Sequence, residues 1–227
     1  ARHTLMIRMF NGAAVTAGLA ASLWVAITHA GSHPAVLPML MLIVAAFLFG
    51  VIELHRYGQQ TNALSSAVQA AEAAVPDEIE PWLGQLPADL QGAVRLRLRG
   101  DRAALPGPSM TPYLTGLLVL LGLLGTFIGM VATLGGTVSA LSASADLQAV
   151  RSALASPVQG LGLAFGTSVA GVAASACLGL MSSLARAERT KASRALDAAL
   201  AGPLMVHTHE HRQRQMMQAL MAAAEQV

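Results

Sequence analysis

Four long apolar stretches, each free of Asp, Glu, Lys and Arg, punctuate this chain at roughly 12–30, 35–52, 112–136 and 158–185. A helix crosses a hydrocarbon core of about 30 Å with roughly 20 apolar residues, so the pattern predicts four transmembrane helices. Gly31-Ser32-His33-Pro34 break the first two into a tight hairpin. Between 53 and 111 the chain turns polar and helix-prone. Ala-rich 62–75 and Leu90 to Arg99 predict two or three short cytoplasmic helices, interrupted at Pro76, Pro81 and Pro87. In the external loop, 137–157, Leu147, Val150 and Leu154 share one face of a short amphipathic helix that Ser144 or Asp146 would cap. Past Ala185, the apolar Ala187, Ala195, Leu196 and Leu200 recur among charges, so the fourth helix is expected to run on until Gly202-Pro203. The tail from Leu204 is helix-prone and reads as the start of a coiled coil. The expected fold is an all-α integral membrane protein in four segments: 1–52, an N-terminal end and peripheral hairpin; 53–111, a cytoplasmic helical segment; 112–185, an inner transmembrane hairpin; and 186–227, a cytoplasmic helical extension.

Composition narrows the class. With 54% hydrophobic and 11% charged residues the chain is too apolar for an ordinary soluble domain. Thirteen of the fourteen Lys and Arg residues fall before the first span, between the second and third, or after the fourth, and only Arg151 falls elsewhere. The positive-inside rule therefore places both termini and the 53–111 segment in the cytoplasm. No cleavable signal is evident. Starting at Ala1 and stopping within a helix-prone stretch, the sequence reads as trimmed at one or both ends. The single Cys177 excludes a disulfide within one chain and reads as a small packing residue. His207, His209 and His211 have only Glu210 near them and read as a solvated tail rather than a metal centre. Arg95, Arg97 and Arg99 alternate, which scatters them around a helix; they suit a solvated or headgroup-facing surface, or a contact with a cytoplasmic partner. Trp82 is a packing residue or an interfacial anchor. No nucleophile, base and metal constellation is present, so neither an enzyme nor a cofactor is expected.

The polar atoms at depth are hydroxyls, Thr126 in the third span and Thr167 and Ser168 in the fourth. At 1.5 Å per residue Thr126 lies about 21 Å from the cytoplasmic start and Thr167 about 14 Å from the external start, which brings the two within about 5 Å of one level. Two readings stand at this point. Each hydroxyl bonds back to its own helix and fills space, or the pair flanks an ion path. The spans supply no ionisable group at mid-depth, so a conducting protein would need a carboxylate brought by another chain. Glycines form stripes at four-residue spacing, Gly125 with Gly129, Gly162 with Gly166, and Gly171 and Gly179 flanking Ser175. Such stripes let backbones approach closely, within one chain or between neighbours.

Leu123-Leu124-Gly125-Thr126-Phe127-Ile128-Gly129-Met130 resembles the third transmembrane helix of the MotA/TolQ/ExbB proton-channel family, with its LxGLxGTxxGM pattern. Leu161 to Gly171, holding Ala164, Thr167 and Ser168, resembles the helix that follows. The likeness covers the third span, the external loop and the fourth span, and the four-span topology is similar to the MotA-like branch. Where ExbB and TolQ have a Glu about five residues before the second Thr, Gly162 stands here, which also favours that branch. The resemblance implies a ring of five chains around two single-span partners of the MotB, TolR or ExbD type, each bringing an Asp into the pore, in a bacterial inner membrane. It further implies that Thr126 and Thr167 take the places of the family's pore threonines. Proton flow, or sodium flow, would turn the ring and deliver work across the membrane. Similar ring subunits drive flagellar or gliding rotation, outer-membrane energisation and Zorya-type phage defence. The rival from another class is a non-conducting oligomeric scaffold; a small-solute transporter lacks an internal repeat and a polar midplane site.

Overall fold

The computed structural model describes residues 12, 16, 18, 20, 36–76, 78–142, 147–208 and a few tail positions (213, 216–218, 220 and 221), and between 36 and 208 it holds five α-helices and one 3-10 turn. They are α1 (Val36–Ala73), α2 (Ile79–Gly84), α3 (Ala88–Leu98), α4 (Thr111–Ser142), α5 (Leu147–Ala201) and the 3-10 turn Pro203–His207. Among the described residues there is no strand. Among the described residues, three helices carry a stretch long and apolar enough to cross a membrane: Pro38–Ala73, Thr111–Val131 and Phe165–Ala201. The expected first span, 12–30, lies outside the described residues apart from four helical positions, Gly12, Thr16, Gly18 and Ala20.

The helices are longer than the sequence pattern suggests. At 1.5 Å per residue α1, α4 and α5 measure about 57, 48 and 82 Å against a core of about 30 Å. The helix of the second span does not stop near Ile52: α1 continues through Glu53, Gln59, Gln60 and Ala63 to Ala73. These residues are polar or small and sustain a helix, so leaving an apolar environment requires no break. Of the three prolines expected as breakers, Pro76 follows the end of α1 and Pro87 caps α3, whereas Pro81 sits inside α2. Pro81 falls in the first turn, where its missing N–H has no helical acceptor to lose. The separate amphipathic helix expected around 147–154 is instead the opening of α5. The end of α5 at Ala201, before Gly202-Pro203, follows the expected break. Ser144 and Asp146 lie outside the described residues.

The chain divides into two compact units, one of residues 1–54 and 109–183, the other of residues 55–108 and 184–227. In the first unit α1 and α5 run parallel, with Leu40 against Ala170 and Gly50 against Leu178, while α4 runs antiparallel to α5. Gly18 packs on the Phe47 ring so closely that a Cβ there would lie 2.6 Å from a ring carbon.

The second unit has a core of its own. Leu64, Val68, Trp82, Leu83, Leu90, Val94, Leu196 and Leu204 form its centre. Trp82 is buried and donates its indole N–H to the Ala67 carbonyl at 3.0 Å, so it is a core residue and not an interfacial anchor. The two arginines of α3 go separate ways. Arg95 pairs with Glu80, and Arg97 reaches Asp197 at 2.7 Å, Ser193 and the Ala103 carbonyl. Gly100, at φ 99°, closes α3: its N–H bonds the Arg97 carbonyl and that of Asp101 bonds Leu96, a Schellman turn that needs a residue without a Cβ.

Candidate functional site

The seam between α4 and α5 gathers most of the small and hydroxyl-bearing positions singled out in the sequence. A Cβ built on Gly171 would lie 2.6 Å from the Leu118 carbonyl oxygen and 2.8 Å from the Gly122 Cα. One built on Gly122 would meet the Ser168 carbonyl oxygen at 3.2 Å. The two backbones therefore touch, a geometry open only to residues lacking side chains. One turn along, a Cβ on Gly125 would fall 2.5 Å from the Thr167 hydroxyl oxygen. In the other direction, the Ser175 hydroxyl donates to the Thr115 carbonyl at 2.8 Å, and Gly179 faces the Thr115 methyl at 3.9 Å. The register is antiparallel throughout: Thr115 with Ser175 and Gly179, Gly122 with Ser168 and Gly171, Gly125 with Thr167.

Thr126 and Thr167 are treated differently by this seam. Thr167 is 1% exposed, its side chain packed on Gly125. Thr126, the next residue on α4, is partly exposed and donates its hydroxyl to the Leu123 carbonyl at 2.5 Å. Its proton is thus committed to its own helix, while the lone pairs of its oxygen remain to accept from a protonated acid or a water. Ser168 is half-buried and contributes backbone to the seam. Gly129 and Gly166 are buried, and the Gly129 carbonyl accepts the Thr133 hydroxyl. Gly179 is half-buried, and Gly162 is exposed. A stripe of large apolar side chains on the rest of α4, Leu120, Leu123, Phe127 and Leu134, is exposed in the single chain, as are Phe165 and Val169 on α5.

Three residues of consequence escaped the sequence reading. Gly122 is one; the i+3 step from Gly122 to Gly125 marks it as sharing their face. Glu53 is the second. Its carboxylate accepts from the Met110 backbone N–H at 2.9 Å and from the Thr111 hydroxyl at 2.6 Å, which caps α4. The third, Arg189, belongs to the other unit. It is 4% exposed, stacked 4.3 Å over the Tyr57 ring, and donates to the Thr61 hydroxyl at 2.8 Å, yet its Nη1 has no partner. A run of charges from Arg186 to Arg194 gives no hint that one of them is interior. Among the described residues no three His, Cys, Asp or Glu side chains converge. His207 donates its Nε2 hydrogen to the Pro76 carbonyl at 2.7 Å; His209 and His211 lie outside the described residues.

Comparison with protein-family models, curated proteins and solved structures finds no match to this chain.

Proposed function

We propose that this chain is a ring subunit of an ion-driven membrane motor, in which α4 and α5 line a path for protons or sodium ions and a single-span partner supplies the carboxylate. The observation that carries the reading is the contact of Gly125 with Thr167, which puts hydroxyls of two separate helices, Thr126 and Thr167, at one level of an apolar unit. Glu53 is the only acidic residue among the described residues of that unit, and it is engaged at the root of α4. An ion crossing here therefore needs an acid from elsewhere. Thr126 would meet that acid directly as an acceptor, with Thr167 behind it holding the seam. The ring would be a homopentamer around two copies of a MotB, TolR or ExbD-like subunit, in a bacterial inner membrane with both termini cytoplasmic.

The scaffold reading has an observation in its favour as well: both threonines are engaged within the chain, Thr126 bonded to its own helix and Thr167 packed on Gly125. The two readings separate on composition of the complex. Native mass spectrometry of material taken from its own membrane in mild detergent should show five copies of the chain with a small single-span protein bearing an Asp in its span. Monomers or dimers alone, or a ring with no such companion, would sink the motor reading.

A further inference from the structure

We infer that Glu53 is the positioning residue of this path: it sets the axial level of α4, and so the level of Thr126 against Thr167. The inference rests on the reading of α4 and α5 as path helices. The chain leaves the first unit after Leu54 and returns at Ser109, and Glu53 stands at that root. Its Oε1 accepts from the Met110 N–H at 2.9 Å, with the Ser109 hydroxyl at 3.5 Å, and its Oε2 accepts from the buried Thr111 hydroxyl at 2.6 Å. The Met110 carbonyl takes the first helical bond, from the Leu114 N–H, so the Met110 N–H is one of the donors a helix start leaves over. A carboxylate here answers both that donor and the positive end of the helix dipole.

The source of the cap gives it its consequence. A capping side chain from the segment leading into α4 would finish the helix and do no more. This one comes from α1, which is itself held along α5 at Leu40 with Ala170 and at Gly50 with Leu178. The path Thr111–Glu53–Gly50–Leu178 thus ties the start of α4 to α5 by a route separate from the seam. Along the seam the described contacts include Gly122 on Gly171, Gly125 on Thr167 and the bond from Ser175 to the Thr115 carbonyl, and Glu53 adds a further stop against sliding at the root of α4. Sliding by one residue moves a side chain by about 1.5 Å, which is the scale at which a hydrogen bond is lost.

Cross-linking reads the register without reference to function. In the full chain with Cys177→Ala, the pair Thr115→Cys and Gly179→Cys should form a disulfide under mild oxidation, since a Cβ at 179 lies 3.9 Å from the Thr115 methyl. Adding Glu53→Ala should slow that reaction at least severalfold. Glu53→Gln, which keeps an acceptor oxygen, should restore part of the rate, and Thr111→Val, which removes the other partner of the bond, should imitate the loss. Ion flux into vesicles holding the ring and its co-purified single-span partner should fall in the same order, by about tenfold or more for Glu53→Ala. An unchanged cross-linking rate in both Glu53→Ala and Thr111→Val would overturn the inference, as would altered register with unaltered flux. Absence of flux in the unsubstituted ring while cross-linking still responds to Glu53 would overturn the path reading instead.

Discussion

Arg189 shows how far a single residue can depart from its sequence context. Its guanidinium is buried with no carboxylate among its hydrogen-bond partners, held by the Thr61 hydroxyl, the Tyr57 carbonyl and ring, and Gln60. Removing charge from water costs several kcal/mol that a cation–π contact and neutral acceptors offset only in part. Arg189→Met, of similar length and without the charge, is therefore expected to leave thermal stability in detergent unchanged or raised. Tyr57→Ala, which strips the ring and leaves the charge buried, should destabilise by about 3 kcal/mol. Equal losses from both would show that Arg189 is well paired. Nothing in the sequence announces this burial, because the residues that create it lie on α1, more than 120 positions earlier. The same holds for Glu53, whose partners Met110 and Thr111 are remote in sequence, so that it reads as the polar end of a span. Thr126 and Thr167, by contrast, are legible as the rare polar atoms within apolar runs.

At the scale of elements, hydrophobic runs announce helices and leave their ends open. The apolar pattern marks α4 and the middle of α5, yet the run-on of α1 to Ala73 and the early start of α5 at Leu147 depend on helix propensity outside the apolar region. Stripes of glycine predict close approach but not which glycines meet: Gly125 and Gly171 lie in the seam, Gly122 joins them through an i+3 step, and Gly162 is exposed. The distinction can be tested with one methyl group. Gly171→Ala would press a Cβ against the Leu118 carbonyl and the Gly122 Cα, backbone that cannot rotate aside, so α4 and α5 must separate, at a cost of about 1–3 kcal/mol. Gly116→Ala, on the same helix pair but facing open space, should be neutral or slightly stabilising. Gly50→Ala should lie between, since its neighbour is the flexible end of Leu178. Thermal unfolding of the three variants in one detergent gives the order, and an equal effect of Gly116→Ala and Gly171→Ala would refute the seam.

For the molecule as a whole, the proposed ring would cover some of the exposed apolar side chains of α4 and α5, and its partner would supply the acid that the described residues of these helices lack. Gly162 and the stripe of Leu120, Leu123 and Phe127 are surfaces for a neighbouring copy or for lipid. Gly162→Leu should lower the yield of oligomer on native gels while leaving the monomer's unfolding temperature unchanged; unchanged oligomer yield would assign that face to lipid. The motor reading makes its most direct claim about ion movement. Vesicles holding the ring with its co-purified single-span partner, under an imposed proton or sodium gradient, should conduct. The double variant Thr126→Val with Thr167→Val should assemble normally and conduct several-fold less, most of the loss arising from the partly exposed Thr126, because Val keeps the shape and removes the oxygen. Full conduction in the assembled double variant would contradict the role given to these hydroxyls, and no conduction by the unsubstituted ring with its partner under either gradient would contradict the motor itself.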